Sequence, residues 1–304
     1  MTAVGTNSLV NTFSGAALSA DADLAMAALL IARIEYPALD VRPYLNQLDT
    51  LGREACLRLG AASVTAKMGT PPRVDRERHA CVLALNHFLF DELQFSGNTR
   101  HYQDPRNSFL NEVLERRTGI PITLAVLYME IARRAGLEIE GVNFPGHFLL
   151  RCPARQELGH SEDLIIDAFH GGAILSEDAC RVLLRRHEGD DSALARHLAS
   201  HPTKRQILAR MLVNLKQLYV QMNSFPQARV ATELLLAIDP TATHELRDRG
   251  LIAYHLNDFS SALRDLQTYL ALTPSQPQND DDRQDHERIV EHVKTLRRRV
   301  ATFN

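Results

Sequence analysis

The sequence predicts an α+β fold over residues 1–190 and an all-α region over residues 191–304. Three observations predict it. Apolar residues recur at helical spacing before residue 118, short β-rich runs separated by turn residues follow, and a helical pattern then repeats itself after residue 203. The chain has 304 residues, of which 45% are hydrophobic and 23% charged, values typical of a globular protein with about two domains.

The N-terminal part of the sequence is predicted to be helical. Asp21 and Asp23 precede the apolar run LAMAALLIARIEY, where acidic side chains stabilise a first helical turn, and Pro37 ends that helix. Further helices are predicted over residues 41–59, 74–93 and 108–117. We expect this helical region to pack on the core that follows rather than to form a domain of its own.

A mixed core with a small antiparallel sheet is predicted over residues 107–187. Pro121 suits the first position of a helix, and Gly136 suits the left-handed turn that ends it. The runs GVNF, HFLLR and LIIDAF are β-rich and are separated by turn residues, so each predicts a strand. The polar run HEGDDS at residues 187–192 is the predicted domain boundary.

The C-terminal region contains an internal repeat. A shift of about 34 residues, the tetratricopeptide period, superposes identical residues in two consecutive segments. The superposed pairs are Asn223 and Asn257, Phe225 and Phe259, Ala228 and Ala262, Leu236 and Leu270, Ala237 and Ala271, and Pro240 and Pro274. Tetratricopeptide repeats are therefore predicted at about 206–240 and 241–274, with a capping helix at about 283–300. Because such arrays need about three units to be stable, we expect this one to pack against a helix at 192–200, the core and the capping helix.

The central motif resembles the core of the transglutaminase-like superfamily. In that pattern, Gly-x-Cys opens a helix, a His-aromatic strand follows, and a later strand ends in Asp. The resemblance places the family cysteine on Pro121, its histidine on His147 and its aspartate on Asp167. The longer run NSFLNEVLERRTGIPITLAVLYMEIARRAGLEIEGVNFPGHFLL is similar to bacterial invasion-regulator-B-like proteins, in which this core precedes tetratricopeptide repeats. The resemblance implies a degenerate site, since members of that family generally lack the cysteine.

The chemistry of a Cys–His–Asp site explains what the substitution removes. The thiol attacks, the imidazole takes its proton, and the carboxylate orients the imidazole. Pro121 has neither a thiol nor a backbone N–H, so it removes the nucleophile and a potential oxyanion donor together. Thr123 points about 200° around the helix from residue 121, and Cys152 lies on the opposite strand face from His147. We therefore expect neither side chain to replace the missing thiol.

Three further residues are candidates for the cleft of this core. Asn111 and Glu112 are implied by the family run, and Asn143 is grouped with them. A pairing of Glu112 with Arg116, four residues later on the same helix, is expected to contribute a few tenths of a kcal/mol. Binding residues elsewhere in the chain cannot be assigned from the sequence.

Composition and spacing argue against several other classes of site. The net charge is −3, with 34 basic and 37 acidic side chains and no Trp, so nucleic-acid binding is not expected. His197 and His201 lack a third metal ligand nearby and are predicted to be a surface pair. The run from Asn279 to Asp285 lacks the glycine and terminal glutamate of a calcium loop. The basic residues from Lys294 to Arg299 suit a helix C-terminus. No metal or cofactor is predicted.

The cysteines and the N-terminus predict a cytoplasmic protein. The four cysteines are Cys56, Cys81, Cys152 and Cys180, and their wide spacing gives no disulfide framework. The N-terminal residues lack a basic segment before the apolar run, and that run is too short to span a membrane. Neither observation predicts an oligomeric state.

Three functional hypotheses follow from the sequence. The first is a non-catalytic protein-binding or regulatory protein, with a degenerate core and repeats that grip a protein segment. The second is a cysteine-independent hydrolase or proton-transfer enzyme, with His147 as base and Asp167 as its orienting carboxylate. The third makes the core a packing scaffold and assigns all function to the repeats.

Overall fold

The computed structural model describes residues 3–19, 22–67, 73–154, 162–273 and 280–303. Two compact units are formed, one by Ser19–Met211 and the other by Met1–Leu18 together with Leu212–Asn304. The first unit contains the mixed core, and the second contains the repeats. The architecture is therefore α+β followed by all-α, as the sequence predicts.

Helices form the N-terminal part of the Ser19–Met211 unit. They are α2 (Leu24–Ile31), α3 (Arg42–Lys67), α4 (Arg73–Asn86), which continues as a π-helical turn over His87–Glu92, and α5 (Leu110–Arg116). Asp23 caps α2 by accepting a hydrogen bond from the Met26 N–H at 2.9 Å. The α2 side chains are almost all buried, so this helix packs inside the unit.

Helix α6 (Pro121–Arg134) runs through the middle of the unit and is buried along nearly its whole length. Pro121 occupies its first turn, where its missing N–H costs nothing, and Gly136 follows its end at a φ of +80°. The helix packs against α2, α3 and α5 and against the sheet. The sequence-based prediction for this segment is confirmed.

Four antiparallel strands form the main sheet in the order β3-β4-β5-β6. Their bounds are β3 (Glu140–Phe144), β4 (His147–Cys152), β5 (Leu164–Asp167) and β6 (Ala173–Leu175). All β4 residues are buried, because this strand is covered on both faces. A short parallel pair, β1 (Ser96–Gly97) and β2 (Thr118–Gly119), precedes α6. The strands β1, β2 and β6 were not predicted.

The remaining helices of the Ser19–Met211 unit follow the sheet. Helix α7 (Glu177–Glu188) is capped by the Ser176 hydroxyl, which accepts from the Ala179 N–H at 3.2 Å. Helix α8 (Leu194–Leu198) packs on β3 and α7. The predicted boundary run at 187–192 therefore lies within this unit, and the observed division falls at 211/212 rather than at 190/191. It also follows that α8 belongs to the unit of the core and not to that of the repeats.

Paired helices build the repeat unit. They are α9 (Lys204–Gln221, in this unit from Leu212 onwards), α10 (Phe225–Ile238), α11 (Thr243–His255), α12 (Phe259–Leu272) and the capping helix α13 (Asp280–Phe303). Asn223 and Asn257, equivalent in the repeat, both adopt left-handed backbone at φ values of 56° and 58°. Ala228 and Ala262 are both fully buried where the helices cross. The structure thus confirms the internal repeat.

One helix of the repeat unit was not expected from the sequence, and three residues of the sequence-based predictions lie outside the described ranges. Helix α1 (Ala3–Leu18) was not predicted, and it packs on α10 in the same unit with Leu9 and Phe13 buried. Three residues of the sequence-based predictions, Asp21, Pro274 and Asn279, lie outside the described residues.

Candidate functional site: a buried His–Asp pair

Strand register brings His147 and Asp167 to the same face of the sheet. The pair Leu150 and Ile166 fixes the register of β4 and β5, so Asp167 continues β5 opposite Leu149. His147 lies two residues before Leu149 on the same strand, hence on the same face and diagonal to Asp167. The observed distance from His147 Nε2 to Asp167 Oδ2 is 2.8 Å, and both side chains are buried.

Asp167 accepts four hydrogen bonds. Its Oδ1 accepts from the backbone N–H groups of Phe169 at 3.0 Å and His170 at 3.2 Å, and so caps the 3₁₀ turn Ala168–His170. Its Oδ2 accepts from His147 Nε2 and from His170 Nδ1, both at 2.8 Å. Burial alone would raise the pKa of this carboxyl, but the hydrogen bonds and charges of His147 and His170 outweigh it and lower the pKa. Asp167 is therefore held as an anion.

Asn86 and Tyr128 fix the turn that follows Asp167. The Asn86 Nδ2 donates to the Gly172 carbonyl at 2.6 Å, while its Oδ1 accepts from the Tyr128 hydroxyl at 2.9 Å. The Gly172 N–H in turn donates to the Asp167 carbonyl at 2.9 Å. Gly172 has a φ of +75°, and a Cβ there would come within 2.4 Å of the Asn86 side chain. Neither Asn86 nor Tyr128 carried a sequence signal for this role.

Arg210 fixes the turn that presents His147. Its guanidinium donates to the carbonyls of Phe144 at 3.3 Å and His147 at 3.1 Å, and also to the Asn143 side-chain oxygen. The turn between Phe144 and His147 is tight because Gly146 adopts a φ of +64°. Asn143, a predicted cleft residue, is exposed, and its side-chain oxygen accepts this bond from Arg210.

An aromatic ring packs against the imidazole of His147. Phe169 meets His147 edge-on, with ring centroids 6.0 Å apart, and also contacts Tyr102 at 6.0 Å. Gly97 packs directly against the Phe169 ring and carbonyl, where a Cβ would come within 2.5 Å. These contacts leave Nε2 of His147 facing Asp167, and no atom of the described residues hydrogen-bonds Nδ1.

Pro121 begins the helix that packs against β4 and the turn Ala168–His170. It is buried, and the preceding Ile120 N–H donates to the Asn107 carbonyl at 3.3 Å. Thr123 is fully buried, and its hydroxyl has no hydrogen-bond partner among the described residues. Among the hydrogen bonds of the described residues, no hydroxyl or thiol is bonded to His147.

All four cysteines lie in the described residues, and all are free thiols. Burial raises the pKa of Cys152 to about 11 and that of Cys180 to about 11. Cys180 belongs to an apolar cluster with Phe144 and Leu149. Both buried thiols therefore stay protonated at neutral pH and are poor nucleophiles.

The other two predicted cleft residues have other surroundings. Asn111 is buried, and its Oδ1 has no partner among the described residues. Glu112 accepts from the Tyr36 hydroxyl at 2.7 Å and forms the predicted ion pair with Arg116 at 3.9 Å. Neither residue hydrogen-bonds His147 or Asp167, so the structure does not join them to the pair.

Histidines outside the pair have separate partners. His197 lies 3.2 Å from Glu188, and His201 lies 3.1 Å from Glu140, so the two do not act as one pair. His170 is different, because its Nδ1 joins His147 Nε2 and an Asp167 oxygen in a set of ligand atoms within 4.8 Å of one another. The sequence showed His170 beside a Gly-Gly turn, but nothing in that pattern connected it to His147.

The repeat unit carries a groove of about 380 Å³ lined by α9, α10 and α11. Val220 and Leu251 line it, and Phe225 stacks on His255 with ring centroids 4.4 Å apart and planes at 3°. At one end, Lys216 Nζ bonds Glu245 at 2.8 Å and Asp248 at 2.6 Å. The groove is therefore mainly apolar with charged groups at its edge.

Across the described ranges, no helix is both long enough and apolar enough to span a membrane.

Comparisons with known proteins confirm both parts of the fold. The transglutaminase-like superfamily matches residues 42–213, and the tetratricopeptide repeat matches residues 215–294. A UPF0162 protein of Xylella fastidiosa is 41% identical over 252 residues, covering 82% of this chain and 83% of its own. A UPF0162 protein of Vibrio cholerae is 31% identical over 206 residues, covering 67% and 73%.

Similarity also extends to a eukaryotic protein. Human F-box only protein 21 is 35% identical over 179 residues, which cover 57% of this chain and 28% of that protein. No solved structure matches the chain. The narrower resemblance to invasion-regulator-B-like proteins stays a prediction.

Proposed function

Because the chain belongs to the transglutaminase-like superfamily, alongside the bacterial UPF0162 proteins, we propose that it is a non-catalytic protein-binding or regulatory protein. The observation that carries the proposal is Pro121 at the start of α6. An imino acid there supplies no attacking group and no N–H for an oxyanion. In this proposal the core keeps the His–Asp pair of a transglutaminase-like site but lacks the nucleophile.

The bonding of the retained pair supports a structural or ligand-orienting role. Asp167 uses both oxygens to hold two imidazoles and the turn Ala168–His170. Cys152 and Cys180 are buried with raised pKa values, so neither offers a substitute thiolate.

The repeats supply the binding surface in this proposal. Tetratricopeptide repeats commonly mediate protein–protein interaction, and stacked helix pairs expose grooves suited to a protein segment. The groove beside Val220 offers apolar surface with Lys216 and Asp248 at its edge. We place the protein in the cytoplasm, a location supported by its four free thiols.

The two halves of the proposal are tested separately. For the core, the purified chain is assayed for release of ammonia from glutamine peptides and for cleavage of peptide and isopeptide bonds. We expect no turnover above that of His147→Ala. Turnover by the natural chain that His147→Ala abolishes would overturn the non-catalytic assignment.

For the repeats, partners are captured from a bacterial lysate and identified by mass spectrometry. Val220→Asp puts a charge in the groove and should abolish capture, because a carboxylate is costly to bury beside an apolar partner. Val182→Asp is the control, since Val182 is similarly exposed, 49% against 41% for Val220, but lies on α7. Equal loss of capture in both variants would contradict binding at the groove.

One observation favours a second candidate, a cysteine-independent hydrolase or proton-transfer enzyme. His147 is oriented through Nε2 by an anionic carboxylate, and its Nδ1 is not hydrogen-bonded by any of the described residues. An imidazole held in this way can accept a proton from a water. The rate to be followed is that of the ammonia-release and bond-cleavage assays described for the core. A pH–rate curve with a step around neutrality that disappears in Asp167→Asn would support this candidate over the first.

A further inference from the structure

Three ligand atoms converge at the edge of the main sheet. His147 Nε2 and His170 Nδ1 each lie 2.8 Å from Asp167 Oδ2, and all three atoms lie within 4.8 Å of one another. We propose that this His147–Asp167–His170 cluster is a zinc site, which goes beyond a role in orienting the imidazole. The cation would sit among the three atoms and take their lone pairs.

The donor set selects the class of cation. Two imidazole nitrogens and one carboxylate oxygen suit Zn²⁺, whereas Mg²⁺ and Ca²⁺ prefer oxygen ligands throughout. A tetrahedral zinc with bonds of about 2.0–2.2 Å holds its ligand atoms about 3.3–3.6 Å apart. The two nitrogen–oxygen separations of 2.8 Å are hydrogen bonds, and each would lengthen by about 0.5–0.8 Å when zinc is bound. The third separation is that between His147 Nε2 and His170 Nδ1. Because the His170 side chain is 61% exposed, its ring can rotate to bring Nδ1 within that distance.

Zinc binding at this cluster breaks few other bonds. Nε2 of His147 would give up its proton to become a ligand, and the neutral ring would then carry its proton on Nδ1. No described atom hydrogen-bonds Nδ1, so this change of tautomer disrupts no interaction there. The exposed ring of His170 can likewise carry its proton on Nε2 and donate it to water. The cation replaces the two N–H donors that now share one carboxylate oxygen.

The surroundings hold two of the three ligands in place. Asp167 is fixed through Oδ1 by two backbone N–H groups and through its carbonyl by Gly172. Arg210 fixes the carbonyl of His147. His170 lies on the exposed side, so the fourth zinc position would face solvent and take a water. Such partners around the ligands raise metal affinity by keeping the site pre-organised.

The test measures zinc binding by the full-length chain after treatment with a chelator. Titration calorimetry with ZnCl₂, in a background of excess Mg²⁺, should give one saturable site per chain. His170→Ala removes an exposed ligand and should weaken zinc binding at least about tenfold. His87→Ala is the matched control, because His87 forms an exposed pair with Asp91 at 2.9 Å and lies outside the cluster. It should leave the affinity unchanged.

A second measurement reports the ligands directly. Co²⁺ in place of Zn²⁺ should give the visible absorption bands of a four-coordinate site with nitrogen and oxygen ligands, and His170→Ala should lose them. His170→Gln, which keeps a side chain of similar size, should behave like His170→Ala. Absence of a saturable zinc site, equal affinity in His170→Ala and His87→Ala, or displacement of zinc by Mg²⁺ would each overturn the proposal.

Discussion

His147 Nε2 lies 2.8 Å from Asp167 Oδ2 inside a site whose helix begins with Pro121. The two residues come from neighbouring antiparallel strands, and both are buried. The hydrogen-bonded pair is thus present, and the residue that begins α6 has no thiol. The stability and chemistry of this pair are open to direct test.

Asp167→Asn should destabilise the unit by about 2–3 kcal/mol, because the side chain loses its charge while four donors still face it. Urea unfolding followed by circular dichroism measures the change. Asp91→Asn is the control, since it alters an exposed His–Asp pair of similar length, 2.9 Å, and should cost about 0.5 kcal/mol or less. Equal costs for the two variants would contradict the role given to burial.

The contribution of Asp167 should disappear in acid. Its pKa is lowered from 3.8 by folding, so its stabilisation is fully present above the unfolded pKa and is lost as the pH falls through the folded pKa. The difference in unfolding free energy between the natural chain and Asp167→Asn should therefore not decrease between pH 7 and about pH 5, and it should shrink below about pH 4. If the difference already shrinks between pH 7 and pH 5, its pH dependence comes from a titratable group other than Asp167.

Arg210→Ala should loosen the turn that carries His147. The variant removes the donors to the Phe144 and His147 carbonyls, at an expected cost of about 2 kcal/mol for hydrogen bonds from a charged group. Hydrogen exchange of the amides between these residues should become at least about tenfold faster. Arg205→Ala, on the same helix and exposed, should leave exchange at the turn unchanged. Unchanged exchange in Arg210→Ala would contradict the anchoring role.

Gly171 and Gly172 form a matched pair of left-handed residues, at φ values of 68° and 75°. Alanine at Gly171 meets open space and should cost about 1–2 kcal/mol from backbone strain alone. Alanine at Gly172 also meets Asn86, whose bond to the Gly172 carbonyl fixes the turn, and should cost clearly more. Thermal unfolding of the two variants measures the difference. Equal melting temperatures would show that Asn86 can move away without cost.

Much of the fold could be predicted because it depends on local chemistry. Pro121 marks the start of α6, and Asp23 and Ser176 each cap the helix that follows them, a role that short polar side chains favour. Asn223 and Asn257 share a left-handed conformation because the repeat gives them the same place after a helix. Each of these features is set by residues a few positions apart, which is the range over which sequence patterns are informative.

The surroundings of the pair could not be predicted, because they join residues far apart in sequence. Asn86 reaches Gly172, and Arg210 reaches the carbonyl of His147. No periodicity encodes such contacts. Helix α1 was missed for a different reason, since its small and polar residues give a weak apolar face. The predicted domain boundary at 190/191 was likewise drawn from a polar run, yet α8 packs back onto β3.

The most direct test of the central claim is the pKa of a thiol placed at position 121. Pro121→Cys is titrated by thiolate absorbance, with the natural chain subtracted, and the titration is repeated with His147→Ala added. If residue 121 faces His147 at the start of α6, the new thiol should titrate below the usual value of about 8.5, and removal of the imidazole should raise it. A pKa near 11, like those of the buried Cys152 and Cys180, and insensitive to His147→Ala, would show that position 121 is not the vacated nucleophile site.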